Sequence, residues 1–419
     1  MSSAIVTGAT GILGREIVSA LSKDSRWKTV HALSRSQKEK YASKVKHDTI
    51  DLTGDAKQMA KQLEGVEAEY VFFTAYLAKD DEGEACKVNG TKPRERGRRN
   101  MKKITDAPSG AMLQNFLDAL TITGADKKMK RLILTTGAKQ YGVHLGPPKN
   151  PMEETDPRFE GPNRPPNFYY VQQDILKKAA QGKGWDWVVT YPNDVIGVAK
   201  GNFMNLSTAV GLYVAISKEL GGDLVFPGSE EFYQYFDSFT YSRLNAQFNL
   251  WAAFEPKASN EAFNVVNGDV TSWQTLWPKI AERYGCKIPA DQFSGPAPDS
   301  SEMKLPTRPP LEDFAEKMGL KNHVPQGLVR QRIDLTKWSQ KPEVKRAWEK
   351  LAARDGLDND AFEKATWGFL GFVLGRNYNL VISMSKARKL GWTGYVDSWD
   401  ALEECLQELE DEKILPRHK

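Results

Sequence analysis

Gly8, Gly11 and Gly14 stand three residues apart, at the spacing of a turn that brings a backbone close to a phosphate. They follow the apolar run Ala4-Ile5-Val6-Thr7 and precede Arg15 to Leu21, where Ile17, Val18 and Leu21 recur at helical spacing. A strand, a glycine turn and a helix in that order aim free N–H groups and a helix dipole at an anion. The pattern therefore predicts a dinucleotide whose pyrophosphate meets Thr7, Gly8, Thr10, Gly11, Ile12 and Gly14. The next strand ends in Ser34-Arg35-Ser36 and carries no carboxylate for the ribose hydroxyls of NAD. A guanidinium flanked by two hydroxyls suits a 2′-phosphate, which favours NADPH over NADH. Asp51, with Leu52 beside it, follows the third strand; it either receives the adenine amino group or caps the next segment.

A second group of reactive side chains lies further on. Thr136-Gly137-Ala138-Lys139-Gln140-Tyr141 closes a strand, and Asn167-Phe168-Tyr169-Tyr170 opens a helix with two adjacent phenols. Short-chain dehydrogenases place a lysine four residues after the tyrosine, where its charge lowers the phenol pKa. Here Gln173 follows Tyr169 at that distance and Asp174 follows Tyr170. The cation must come from elsewhere, and Lys139 is the candidate.

The two segments and several later ones resemble the progesterone 5β-reductase/iridoid synthase-like family, an atypical branch of the short-chain dehydrogenases. Its TGxKxY and NFYYxxED motifs read here as Thr136 to Tyr141 and Asn167 to Asp174. Phe226-Pro227-Gly228, Asn260 to Asn264, Asn267-Gly268-Asp269 and Met384-Ser385-Lys386-Ala387 extend the likeness over nearly the whole chain. The resemblance implies NADPH-dependent 1,4-reduction of an enone or enal, with a phenol stabilising the charge that develops on the carbonyl oxygen. By alignment that role falls to Tyr170, supported by Lys139, with Tyr169 as its nearest rival. Thr74, Thr136, Gly137, Pro192, Asn193 and Val195 are expected to complete the cofactor contacts together with Tyr170. Tyr76, Tyr141, Tyr169, Phe203 and Met204 are expected near a small apolar substrate. Two departures stand out: Gln173 replaces the family's glutamate, and Thr74-Ala75-Tyr76 lacks its tryptophan. Two other readings stay open. One is a carbonyl reductase using the same tyrosine, and the other is a non-catalytic NADP-binding regulator.

Positioning these groups requires a parallel, doubly wound sheet. Strands are expected at Lys28 to Leu33, His47 to Asp51, Tyr70 to Thr74, Arg131 to Thr136 and Trp187 to Thr190, with helices at Met112 to Leu120 and Tyr170 to Ala180. Their alternation implies right-handed βαβ units, a Rossmann-like α/β domain over residues 1–200. After Gly197 the pattern turns mostly helical, giving a substrate lobe over 201–419 with late segments returning to the sheet. Asn202 to Leu220 and Phe232 to Ala253 read as helices, and the prolines between Pro289 and Pro310 read as an irregular connector. Thr91 to Gly110 holds seven basic residues against Glu95 and Asp106, lacks apolar periodicity and interrupts an otherwise continuous pattern. It is expected to be a disordered surface insertion or a retained intron.

Composition excludes several classes. The chain has 419 residues, a net charge of +4 and 40% hydrophobic residues, a globular balance. Its positive charge is concentrated in the 91–110 stretch, so no nucleic-acid partner is expected. No apolar run reaches a membrane span and the N-terminus lacks signal-peptide character, which predicts a soluble cytoplasmic protein without a membrane partner. Three scattered cysteines and five scattered histidines predict neither a disulfide scaffold nor a metal site. The acidic helix around Trp399 to Lys413 leaves a homodimer contact or, more commonly for such a helix, a solvated face.

Overall fold

Near-continuous apolar runs form the central strands, because a parallel sheet covered on both faces leaves neither side of a strand in water. In the computed structural model, which describes residues 1–36, 40–77, 88, 112–161, 163–200, 204–295, 297 and 299–418, those runs become seven strands. They are β1 (Ser2–Thr7), β2 (Trp27–Ser34), β3 (Val45–Thr49), β4 (Tyr70–Phe73), β5 (Arg131–Thr135), β6 (Asp186–Pro192) and β7 (Glu261–Val265). Their order is β7-β6-β5-β4-β1-β2-β3. β1 pairs in parallel with β2 and β4, β2 with β3, β4 with β5, and β5 with β6. The order reverses between β1 and β4, so the carboxyl ends of those strands flank the crevice where open α/β sheets bind ligands. The 91–110 insertion lies outside the described residues.

By internal contacts the chain divides into two units. The first comprises Met1–Gln140, Arg158–Tyr191 and Asn245–Phe263. Around its sheet, α1 (Gly14–Lys23) buries Ile17, Val18 and Leu21, and α2 (Ala56–Gln62) opens on an Asp55 capping box with Gln58. α3 (Met112–Thr123) buries Leu113, Phe116, Leu117 and Leu120, with the Phe116 ring 5.6 Å from Phe73. α4 (Phe168–Ala180) carries the paired phenols. Elsewhere in the unit Trp27 and Tyr70 pack against Phe254 at 5.1 and 5.2 Å. Arg131, at the start of β5, is buried at tolerable cost because Asp186 takes it in two hydrogen bonds and the carbonyls of Ala252 and Glu255 accept the rest.

The second unit comprises Tyr141–Pro157, Pro192–Leu244 and Asn264–Lys419 and is mostly helical. The expected helix over Phe232 to Ala253 is broken. A short helix at Glu230–Gln234 gives way to extended pieces at Phe236–Asp237 and Thr240–Tyr241 before α5 (Ser242–Phe254) begins. Asp237 causes the break. Its carboxylate accepts from the Ser238 amide at 2.8 Å and the Asn193 side chain at 3.0 Å, bonds that a helix could not offer. Inside the proline-rich connector, Ser301–Lys304 forms a strand antiparallel to Leu328–Gln331, in a stretch that none of the prolines occupies.

Three charged groups are buried together in this unit. Asp194 pairs with Arg376 through both guanidinium nitrogens, one of them at 3.2 Å, and Arg376 lies 3.9 Å from Asp237. Two carboxylates share one cation, and burial together with the Asp194 charge pushes the Asp237 carboxyl well above its ordinary range. Asp237 therefore holds its proton to a higher pH in the folded chain than in the unfolded one. The folded chain holds the extra proton, so this group's contribution to stability falls as pH rises above about 4. Asp237→Asn should abolish that fall and raise the denaturation midpoint at neutral pH. Arg376→Met, which strands the Asp194 charge, should cost about 3–5 kcal/mol. Urea titrations between pH 4 and 8 check both; a stability–pH slope unchanged by Asp237→Asn would contradict the raised carboxyl.

Candidate active site

The glycine turn is fixed by its own backbone. Gly8 has φ +66°, a left-handed conformation that favours glycine, and its carbonyl accepts the Gly11 amide at 2.9 Å. Arg15 N–H then reaches the Gly11 carbonyl at 3.0 Å, starting α1. The helix enters so close to the turn that a Cβ on Gly14 would lie 2.1 Å from the Gly8 oxygen. No side chain caps α1 at Leu13, so the end of the helix facing the turn is left uncovered by a side-chain acceptor. Thr74 Oγ1 donates to the Thr7 carbonyl at 2.7 Å and ties the ends of β4 and β1 together. These are the features a pyrophosphate requires of a chain. Replacing Gly14 with alanine should destabilise the protein by about 1–3 kcal/mol, since helix or turn must move apart. A thermal melt unchanged by Gly14→Ala would show that the contact can relax freely.

At the end of β2, Arg35 and Ser36 are exposed. The Ser34 hydroxyl is engaged within its own surroundings, donating to the Ser36 carbonyl at 2.9 Å and lying 2.9 Å from His47 Nε2. Asp51 holds the turn that follows β3, while the helix after it is capped by Asp55. Asp51 Oδ1 accepts the Thr53 amide at 3.0 Å and hydroxyl at 2.7 Å, and these bonds, with the Arg35 charge, hold its pKa below the usual range. Leu52 beside it is half-buried.

Beyond β5, Thr136 is buried and its amide donates to the Thr190 carbonyl at 3.0 Å. Gly137 follows, and Lys139 sits in the 3₁₀ turn Ala138–Tyr141, half-buried, with Nζ 5.9 Å from the centre of the Phe168 ring. Asn167 caps α4 by accepting the Tyr169 amide at 3.0 Å, and its Nδ2 donates to the Lys139 carbonyl at 2.8 Å. The two phenols then diverge, as neighbours on a helix must. Tyr170 is 3% exposed; its hydroxyl donates to the Gln140 carbonyl at 2.7 Å and accepts the Phe159 amide at 3.1 Å. Burial pushes its pKa up. Tyr169 instead packs edge-on against Phe168, ring centres 4.5 Å apart, and Phe168 lies 5.6 Å from the half-buried Tyr76. Lys139, Phe168, Tyr169 and Tyr76 thus belong to one group, and Tyr170 to another.

The other residues expected at the site have the following surroundings. Tyr141 belongs to the second unit, where its buried hydroxyl donates to Asn264 Oδ1 at 2.5 Å, the kind of partner a buried phenol needs. The Asn193 amide is used up by Asp237 and the Ser238 carbonyl, its backbone N–H donates to Thr240, and Val195 pairs with Thr240 in a short parallel bridge. Pro192 is buried at the end of β6, Met204 is half-buried in the second unit, and Phe203 lies outside the described residues. Sequence reasoning missed Phe168 and Gln140. The signal was present, since both adjoin residues it had named, but which neighbour shares a face depends on helix phase.

Comparison with known proteins gives the family. The chain matches a PRISE-like Rossmann-fold domain over residues 112–331 and the NAD dependent epimerase/dehydratase family over residues 4–214. It is a PRISE-like protein. An uncharacterized protein of Schizosaccharomyces pombe is 43% identical over 99% of this chain and 98% of its own. An (S)-8-oxocitronellyl enol synthase of Camptotheca acuminata and a 3-oxo-Delta(4,5)-steroid 5-beta-reductase of Arabidopsis thaliana are each 26% identical, over 99% of this chain and 93% of theirs. These relatives place this PRISE-like chain among enzymes of the oxidoreductase type. The Thermotoga maritima UDP-glucose 4-epimerase, 16% identical, shares the fold with a TM-score of 0.58, covering 98% of this chain and 99% of its own. Among the described residues no helix is long and apolar enough to cross a membrane, and no three histidine, cysteine or acidic side chains gather as a metal cluster would require.

Proposed function

We propose that this PRISE-like protein is an NADPH-dependent reductase of activated C=C bonds in a small apolar enone or enal. The observation that carries the reading is the grouping of Lys139 and Tyr169 with the aromatic rings of Phe168 and Tyr76. A cation, a phenol and an apolar floor in one group suit a substrate that is apolar except for one carbonyl. NADPH, when bound, supplies the hydride that adds to the β-carbon. The Tyr169 hydroxyl donates to the carbonyl oxygen on which negative charge collects, and the Lys139 ammonium stabilises that charge at longer range. The rings of Phe168 and Tyr76 form an apolar floor under the substrate, and the enolate takes a proton at the α-carbon from solvent to give the saturated carbonyl. The reading moves the phenol's role from Tyr170 to Tyr169, because both hydrogen-bonding directions of the Tyr170 hydroxyl are engaged with backbone. The glycine cradle fits the pyrophosphate, and the exposed Arg35 fits a 2′-phosphate.

The names of the Arabidopsis and Camptotheca relatives, a steroid reductase and an enol synthase, support the reaction class. The same donors would also serve a carbonyl reductase; the site of hydride incorporation in the product separates 1,4- from 1,2-addition. Stoichiometric NADPH binding without turnover would instead favour a regulator. NADPH oxidation against a panel of enals, cyclic enones and steroid enones tests the proposal. Tyr169→Phe should lower kcat by about 10²–10³, the cost of one oxyanion donor, and Lys139→Met should lower it as well. Full turnover in Tyr169→Phe would sink the assignment. Arg35→Ala should weaken NADPH binding by about 10- to 100-fold, the equivalent of one charge-assisted contact, and leave NADH binding unchanged. Equal losses for both cofactors in fluorescence titrations would contradict the role of Arg35.

A further inference from the structure

In an ordinary short-chain dehydrogenase, tyrosine and lysine sit one turn apart on one helix, so covalent geometry fixes their separation. Here Tyr169 is on α4 and Lys139 on a separate 3₁₀ turn after β5. Something else must hold the two in register. One face of α4 presents Asn167, Tyr170 and Gln173, three residues apart in succession, and all three engage the turn that carries the lysine. Asn167 Nδ2 donates to the Lys139 carbonyl at 2.8 Å. The Tyr170 hydroxyl donates to the next carbonyl, that of Gln140, at 2.7 Å. Gln173 Nε2 donates to Gln140 Oε1 at 2.9 Å, and its own Oε1 accepts the Tyr191 hydroxyl of β6 at 3.0 Å. So short a turn cannot satisfy these carbonyls internally, and each is met from α4.

We infer that Tyr170, through the Gln140 carbonyl, and Gln173, through the Gln140 side chain, are positioning residues that clamp the turn carrying Lys139 to α4 and so fix the Lys139 ammonium relative to the Tyr169 phenol. The clamp replaces the covalent spacing that this chain has lost. Glutamine at 173 lets it run through neutral groups: an amide there both donates to Gln140 and accepts from Tyr191, whereas a carboxylate could only accept. Gln140, Tyr170, Gln173 and Tyr191 are all buried, where paired hydrogen bonds specify one arrangement.

The inference rests on the reaction proposed above, and a double-mutant cycle separates the two. NADPH oxidation is followed with the best enone of the panel in the unsubstituted chain, Tyr170→Phe, Lys139→Met and the double variant. If Tyr170 acts through Lys139, Tyr170→Phe lowers kcat about tenfold when Lys139 is present and changes it less than twofold in the Lys139→Met background. KM and the NADPH Kd stay within about twofold in both. Equal factors in both backgrounds, or no loss in the first, would overturn the clamp while leaving the reaction reading intact. Should Tyr170→Phe fail to fold, Gln173→Leu takes its place in the cycle with the same expectation, and Gln173→Glu should not restore kcat. Full kcat in both Lys139→Met and Tyr169→Phe would instead count against the reaction itself.

Discussion

Asn167 joins two parts of the chain that lie far apart in the sequence. Its Oδ1 starts α4 by taking the Tyr169 amide, and its Nδ2 holds the carbonyl of Lys139. A single buried side chain thus sets where the helix begins and where the lysine's backbone lies. Helix phase does the rest. Once α4 starts at Phe168, residue 169 must face about 100° away from residue 170. One phenol joins the aromatic group with Phe168 and Tyr76, and its neighbour joins the buried backbone of Gln140 and Phe159. Two chemically identical side chains thereby acquire different work.

The first unit gathers its reactive groups at the carboxyl ends of parallel strands. The turn after β1, the loop after β2, Thr74 after β4 and Lys139 after β5 all lie there. A parallel sheet delivers every strand end to one edge, so residues more than a hundred positions apart in sequence share a neighbourhood without any long-range motif. Stability is anchored at the opposite end, where Arg131 at the start of β5 is neutralised by Asp186 at the start of β6.

The second unit handles buried charge differently. Asp194, Arg376 and Asp237 lie together out of water, and Asp194 takes a φ of 23° that few non-glycine residues adopt. Desolvation makes two carboxylates on one guanidinium costly, and together with the Asp194 charge it pushes the Asp237 carboxyl well above its ordinary range. The arrangement also dictates local secondary structure. Asp237 draws the Ser238 amide and the Asn193 side chain to itself and breaks what the apolar pattern suggests is one helix.

Local patterns were legible in the sequence because they arise from local causes. The glycine turn needs a positive φ at Gly8 and no Cβ at Gly14, and only glycine meets both demands cheaply. Strands and helices of the first unit follow from runs of apolar residues whose period is set by the backbone, and the family follows from motifs such as Thr136 to Tyr141 that are read directly. The tertiary structure alone decided that Tyr169 packs on Phe168 while the Tyr170 hydroxyl bonds the Gln140 carbonyl, that the Tyr141 hydroxyl bonds Asn264, and that Gln173 bonds Gln140. Those outcomes depend on where one helix starts, to within a residue, and on partners distant in the chain. Residue type and spacing cannot encode them, because a rotation of about 100° exchanges the roles of two adjacent tyrosines without changing a letter.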